Sequence, residues 1–259
     1  MKFLFAISFI LTFNLCFSQV RLEKSIYQLR QTDFGKIYSV KDSIVNEQEK
    51  SIPKLLELLK DTTFVKLQNT ADLIYPGTDK FYGHGWIVRY DIDWISVRSA
   101  WLLEELTFKN FGYLNTKITE ENLIALHKQN YGSEYLKKGF YDIDYKDKTS
   151  REQLKIYRLM LADNVSNWWN KNKSTWTRFN ALKEALSSND EQSQALALHY
   201  LQFEKTLCNG LTKEKYDTEL KPLVKNIKNR KGKQAEQAKL LLEDKEYYWL
   251  NSKQKKSVS

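Results

Sequence analysis

Three prolines and nine glycines in 259 residues leave this chain few places where it must break a helix. Pro removes a backbone donor and Gly is costly in a helix interior, so their scarcity tells most where good helix formers abound. Leu, Lys, Glu, Gln and Ala dominate the second half, and the expected fold is mostly α. The composition, 42% hydrophobic with 14% aromatic, is too rich for a disordered chain.

The N-terminus reads as an export leader. Met1 and Lys2 give a positive start. Phe3 to Leu15 form an apolar run broken only by Ser8, Thr12 and Asn14, and Cys16-Phe17-Ser18 supplies small residues where a signal peptidase inspects. The run is shorter than the roughly 20 residues of a spanning helix. Cleavage after Ser18 is expected, placing the mature chain, Gln19 onward, in the periplasm or outside the cell. Cys16 leaves with the leader, so Cys208 stands alone, no intrachain disulfide can form, and packing has to supply the stability. The expected division is a leader at 1–18, one helical domain over 19–250 with an insertion at about 64–93, and a basic flexible tail at 251–259.

Helix signals punctuate the mature chain. Thr119 is a cap, with Ile118 and Leu123 at the positions of a hydrophobic staple, and the helix ends near Asn130. Thr149 or Ser150 opens the next helix, whose apolar residues from Leu154 to Trp169 recur at spacings of three and four; the connector before it spans Gly139 to Lys148. Asn189 or Asp190 begins another, closed at Asn209-Gly210.

Three segments share a form. Ser51-Ile52-Pro53 opens a leucine-rich helix ending at Asp61, and Val97-Arg98-Ser99-Ala100 lies in its second helix. Phe179 to Leu186 precede a turn and an Ala/Leu helix. Lys221-Pro222 leads to Ile227, and a basic turn then leads to Ala235–Leu242. Each resembles a HEAT-type (armadillo-like) repeat, which implies an irregular α-solenoid or bundle with a concave binding face. The Ser18-Gln19 junction and the lysine-rich, Pro-poor mature chain resemble an uncharacterised family of exported Bacteroidota proteins, and this resemblance implies location and architecture only.

The insertion is the least generic part. Pro76-Gly77 marks a turn, Gly83 and Gly85 flank His84, and a small β-hairpin is expected from Phe81-Tyr82 against Trp86 to Val88. Its rings and neighbouring charges supply the candidate binding residues Tyr82, His84, Trp86, Arg89, Tyr90, Trp94, Arg98 and Trp101. Arg98 is expected to pair with Glu105 across an aromatic seam, and Asp93 to cap a helix. Trp168, Trp169 and Trp176 cluster around a polar turn and could extend a ring-lined surface.

Catalytic signatures are weak. His84, Asp91 or Asp93, and Ser96 are the residue types of a hydrolytic triad without a nucleophile-elbow pattern around Ser96. Asp91, Asp93, Glu104 and Glu105 are candidates for paired glycosidase carboxylates, although adjacent helical glutamates point about 100° apart. His84, His127 and His199 are far apart, Tyr90-Asp91-Ile92-Asp93 and its echo Tyr141-Asp142-Ile143-Asp144 lack the rest of a calcium loop, and no phosphate loop occurs. No metal or cofactor is expected.

The precursor charge of +9 is concentrated late, in Lys221, Lys225, Lys228, Arg230, Lys231 and Lys233 and in the tail Lys253, Lys255 and Lys256. Export points such a surface towards anionic headgroups, acidic glycans or an acidic protein face rather than nucleic acid. The functional expectation is a non-catalytic exported protein that binds a protein partner, in its sharper form an immunity protein against a periplasm-delivered toxin. The alternative is a hydrolase of glycan or cell wall.

Overall fold

A computed structural model describes residues 19–68, 70, 73–78, 85–114, 120–131, 150–244 and 247–250. The leader, Thr119 and Ile118, the connector 139–148, the echo at 141–145, Phe81 to His84 and the tail 251–259 lie outside them. The described chain is mostly helical, as its composition requires. α1 runs over 19–28, followed by α2 (Phe34–Asn46), a short 3-10 turn (Gln48–Lys50) and α3 (Ile52–Leu59). Two short strands, β1 (Leu73–Ile74) and β2 (Trp86–Ile87), precede α4 (Ile95–Thr107). Next come α5 (Glu120–Tyr131), α6 (Ser150–Asn172), α7 (Arg178–Ser187) and α8 (Glu191–Phe203). A turn at Lys213–Lys215, α9, continues as a π-helical stretch, Tyr216–Leu220, into α10 (Lys221–Lys228), and α11 (Lys233–Glu243) closes the fold. No helix among the described residues is long and apolar enough to cross a membrane.

The sequence-paired helices pack on one another: α3 on α4, α7 on α8 and α10 on α11. Further contacts join α4 to α7 and α8, α7 to α10, and α8 to α11. Each helix buries a stripe, as in α3, where Ile52, Leu55, Leu58 and Leu59 are all buried and Pro53 occupies the first turn without loss of a bond. Each such side chain contributes about 1.5–3 kcal/mol when fully withdrawn from water. Two apolar clusters result. One gathers α1 to α6 with the insertion, the other α7 to α11, and Trp176 packs against both. Phe108, the left-handed C-cap of α4 at φ 54°, carries its ring into the second cluster.

Several local expectations are corrected by tertiary bonds. Ser51 does not cap α3; its hydroxyl donates to Ile44 O at 2.5 Å. α8 stops at Phe203, not at Asn209-Gly210, because the following segment is drawn out by partners elsewhere. Arg178 donates to Leu207 O, Leu207 N–H donates to Asn46 Oδ1, and Asn209 N–H donates to Gln48 Oε1. The hairpin is replaced by a parallel pair, with Leu73 opposite Trp86 and Ile74 opposite Ile87, tied by Val88 N–H to Ile74 O at 2.9 Å. The Pro76-Gly77 turn is present, closed by Thr78 N–H donating to Tyr75 O at 2.9 Å.

Arg98 lies at 0% exposure in the middle of the first cluster, and it makes no pair with Glu105. Its Nε donates to Ile92 O at 2.6 Å, one terminal nitrogen to Leu29 O at 2.8 Å and Gln31 O at 2.6 Å, and the other to Val65 O at 2.7 Å. Four carbonyls from three non-helical segments thus converge on one planar, five-donor group. Burial pulls its pKa down to about 10, against the opposing charge of Asp93. Arg98→Leu leaves those carbonyls unsatisfied and is expected to lose about 3–5 kcal/mol in urea unfolding, with little rescue by Arg98→Lys, whose three donors radiate from one atom.

Candidate functional site

α4 aims its two adjacent glutamates in opposite directions, as the helical angle requires. Glu104 turns inward to 0% exposure, where it accepts from Tyr90 Oη at 2.5 Å and from Phe111 N–H at 2.8 Å. Glu105 turns outward, accepting from Trp101 Nε1 at 2.5 Å and pairing with Lys41 Nζ at 2.8 Å. Lys41 also lies 3.1 Å from Glu204 Oε1, so one ammonium from α2 binds carboxylates that stand on the two apolar clusters. Burial pulls the Lys41 pKa down, but Glu105 and Glu204 outweigh it and hold the ammonium above the usual lysine value. His199 extends the row, with Nδ1 3.9 Å from Glu204 Oε1.

These groups floor an open groove of about 540 Å³ at the junction of the clusters. Tyr38, Trp86, Ile87, Arg89, Tyr90 and Trp101 form its first-cluster wall; Gln192, Leu196, His199 and Gln237 face them from α8 and α11. Trp86 and Ile87 are 56% and 73% exposed, high for large apolar residues, and Tyr38 meets Trp86 edge-on at 4.6 Å between ring centroids. A wall of rings above a row of charged groups can hold a ligand that offers both an apolar face and hydrogen-bonding groups.

No protein-family model, curated protein or solved structure matches this chain. Its site is therefore read from its own geometry. Of the binding residues expected from sequence, Trp86, Arg89, Tyr90 and Trp101 come together at the groove. Trp94 and Arg98 do not: Trp94 is buried between Phe64, at 5.2 Å, and the Arg158 guanidinium, at 4.9 Å. Tyr82 and His84 lie outside the described residues.

The four candidate carboxylates disperse. Asp93 does not cap α4, because the carbonyls of Asp61 and Thr63 already accept from Ser96 N–H and Ile95 N–H at 3.0 and 3.1 Å. Released from that task, Asp93 Oδ1 accepts from Leu67 N–H and Tyr75 Oη, both at 2.9 Å, while Lys66 stands 3.2 Å from Oδ2. Gly77 is required here, since a Cβ would sit 2.6 Å from the Tyr75 ring and closer still to Asp93 Oδ2. Asp91 instead lies 3.5 Å from the buried Arg158. Ser96 is fully buried in α4. Among the described residues no three His, Cys, Asp or Glu side chains converge as metal ligands.

The tryptophan cluster is also real: Trp169 lies 6.1 Å from Trp168 and 5.8 Å from Trp176, and borders a second cavity of about 400 Å³ with Lys50, Lys173 and Arg178. Arg178 is a seam residue, its guanidinium between Phe108 at 5.1 Å and Tyr200 at 4.7 Å. Cys208 packs against the second cluster, where burial pushes its thiol up to about 12; it behaves as a small hydrophobe rather than a nucleophile.

Lys41, His199, Glu204 and Gln237 were not among the residues expected from sequence. One signal was available for Lys41: it interrupts the buried stripe Ile37, Val40, Ile44 and Val45 of α2, where a lysine needs a partner. Glu104 offers a pH test. Burial pushes its carboxyl up to about 7 from 4.5, so between those values the folded chain holds a proton that the unfolded chain has released. Stability from this group is complete below pH 4.5 and is lost as pH rises through 7, by about 3 kcal/mol. Urea unfolding at pH 5 and pH 8 is expected to show that loss, and Glu104→Gln to flatten it.

Proposed function

We propose that this chain is an exported, non-catalytic binding protein that seats a protein partner in the groove between its two apolar clusters. The observation that carries this reading is the Trp86–Ile87 pair, large apolar side chains left exposed beside an open groove and braced by Tyr38. Exposed tryptophans at the edge of a concavity are the residues on which protein interfaces concentrate their binding energy. The leader-like residues 1–18 support export, and the stacked helix pairs support an irregular helical repeat of the HEAT type. The sharper form is an immunity protein that occupies a toxin delivered into the periplasm.

The paired-carboxylate hydrolase draws less support. Glu105 and Glu204 are the carboxylates that face each other at the groove, but the Lys41 ammonium stands between them, where a glycosidic oxygen would have to lie. It also favours the ionised form of both, while a general acid must keep its proton.

The test is affinity capture from the native periplasm with residues 19–259, run beside Trp86→Ala and Lys50→Ala. Recovery of a protein by the parent and by Lys50→Ala, weakened about thirtyfold by Trp86→Ala, is the expected result. Trp86→Ala should leave the melting temperature nearly unchanged, because the ring is exposed. Equal recovery by all three chains would move the site away from the groove. Glycan cleavage abolished by Glu105→Gln would replace binding with hydrolysis.

A further inference from the structure

The junction between α10 and α11 carries a second, separate surface. α10 buries Val224 and Ile227 and turns Lys225 and Lys228 outward. Every residue from Lys228 to Lys233 is exposed, the chain reversing at Gly232 with φ 111°. Lys225, Lys228, Arg230, Lys231 and Lys233 therefore crowd one helical tip, and no Asp or Glu occurs between Leu220 and Ala235. Lysines nearby are paired, Lys183 with Glu219 at 2.7 Å and Lys213 and Lys221 with Asp217. The five tip cations have no ion-pair partner among the described residues.

Folding explains only part of this arrangement. Lys225 and Lys228 suit the negative C-terminal end of α10. Arg230, Lys231 and Lys233 are at the other pole, beside the N-terminus of α11, whose own partial charge is positive and whose cap, Gly232, has no side chain to offset it. Three cations placed where they repel each other and the helix end are a local conflict of the kind that marks a binding surface.

We propose that this tip docks the protein on an anionic phospholipid surface. Four of the five cations are lysines, and none of the five lines a groove described above. Lysine is depleted in protein–protein interfaces, and its flexible, hydrated ammonium suits a fluid layer of headgroup phosphates rather than a fitted protein face. Attraction of this kind is additive over the charges, falls off within a Debye length and needs no pocket. The basic tail residues Lys253, Lys255 and Lys256 would add to it. The inference is independent of the groove.

Vesicle sedimentation of residues 19–259 tests it, with phosphatidylcholine alone and with about one third phosphatidylglycerol, at low and at about 0.5 M salt. The expected result is binding to the anionic vesicles only, abolished by salt. The variant Lys228→Gln/Arg230→Gln/Lys231→Gln/Lys233→Gln is expected to weaken binding about a hundredfold or more. A control that changes the exposed Lys24, Lys36, Lys60 and Lys171 to Gln should bind within a few-fold of the parent. Melting temperatures report whether each variant folds, and the tip variant should melt no lower than the parent, since it relieves repulsion. Failure of the parent to bind anionic vesicles, or equal losses in tip and control variants, overturns the proposal. Displacement from the vesicles by soluble polyglutamate at equal anion concentration would also overturn it, making the occupant an acidic protein face.

Discussion

The first half of the fold hangs on one side chain. Arg98 comes from the middle of α4 and is satisfied by carbonyls before and after the α1–α2 turn, on the strand-like segment at Val65 and at Ile92. These stretches have few backbone partners of their own, and buried carbonyls left unpaired are costly. The guanidinium supplies the missing donors at one point and holds the insertion against α4. With Asp61 and Thr63 receiving the free N–H groups at the helix start, the insertion becomes part of the core, with Leu67, Leu73, Tyr75, Val88, Tyr90 and Ile92 all buried. Trp86 and Ile87 are left at the rim as a consequence: the strand that carries them is anchored on either side.

A second buried cation performs a similar task at the junction of the two clusters. Lys41 reaches Glu105 on its own side and Glu204 on the other, while Arg178 bonds across to the Glu105 carbonyl at 3.5 Å. Removing one partner from such a set leaves an uncompensated buried charge, so the groove floor and the junction share the same interactions. Binding in the groove would therefore act on the contact between the clusters as well as on the exposed rings.

Much of the helical architecture was legible in the chain. Thr177 and Asp190 cap α7 and α8 through Asn180 and Ser193 N–H, and Pro53 and Pro222 fall in first turns, because capping and the proline ring act within a few residues. Errors arose where a remote group entered. Asp93 and Ser51 have the chemistry of caps, but donors and acceptors from elsewhere in the fold claim them. Trp86 to Val88 has the composition of a hairpin arm, yet its described neighbour is the parallel Leu73–Ile74, twelve residues and more upstream. Glu104 and Glu105 were known to diverge, but not which one would be buried.

Composition and periodicity alone determined that the chain is helical, where its helices pair, that Cys208 has no disulfide partner once the leader is gone, and that positive charge accumulates around α10 and α11. Those properties depend on backbone propensities and on residues three or four positions apart. Only the tertiary structure decided the fate of each charge and the position of the site. Lys41, Trp86, Glu105, His199 and Glu204 span more than 160 residues of sequence, and what makes them one groove is the burial of two apolar clusters against each other. No local pattern encodes that distance.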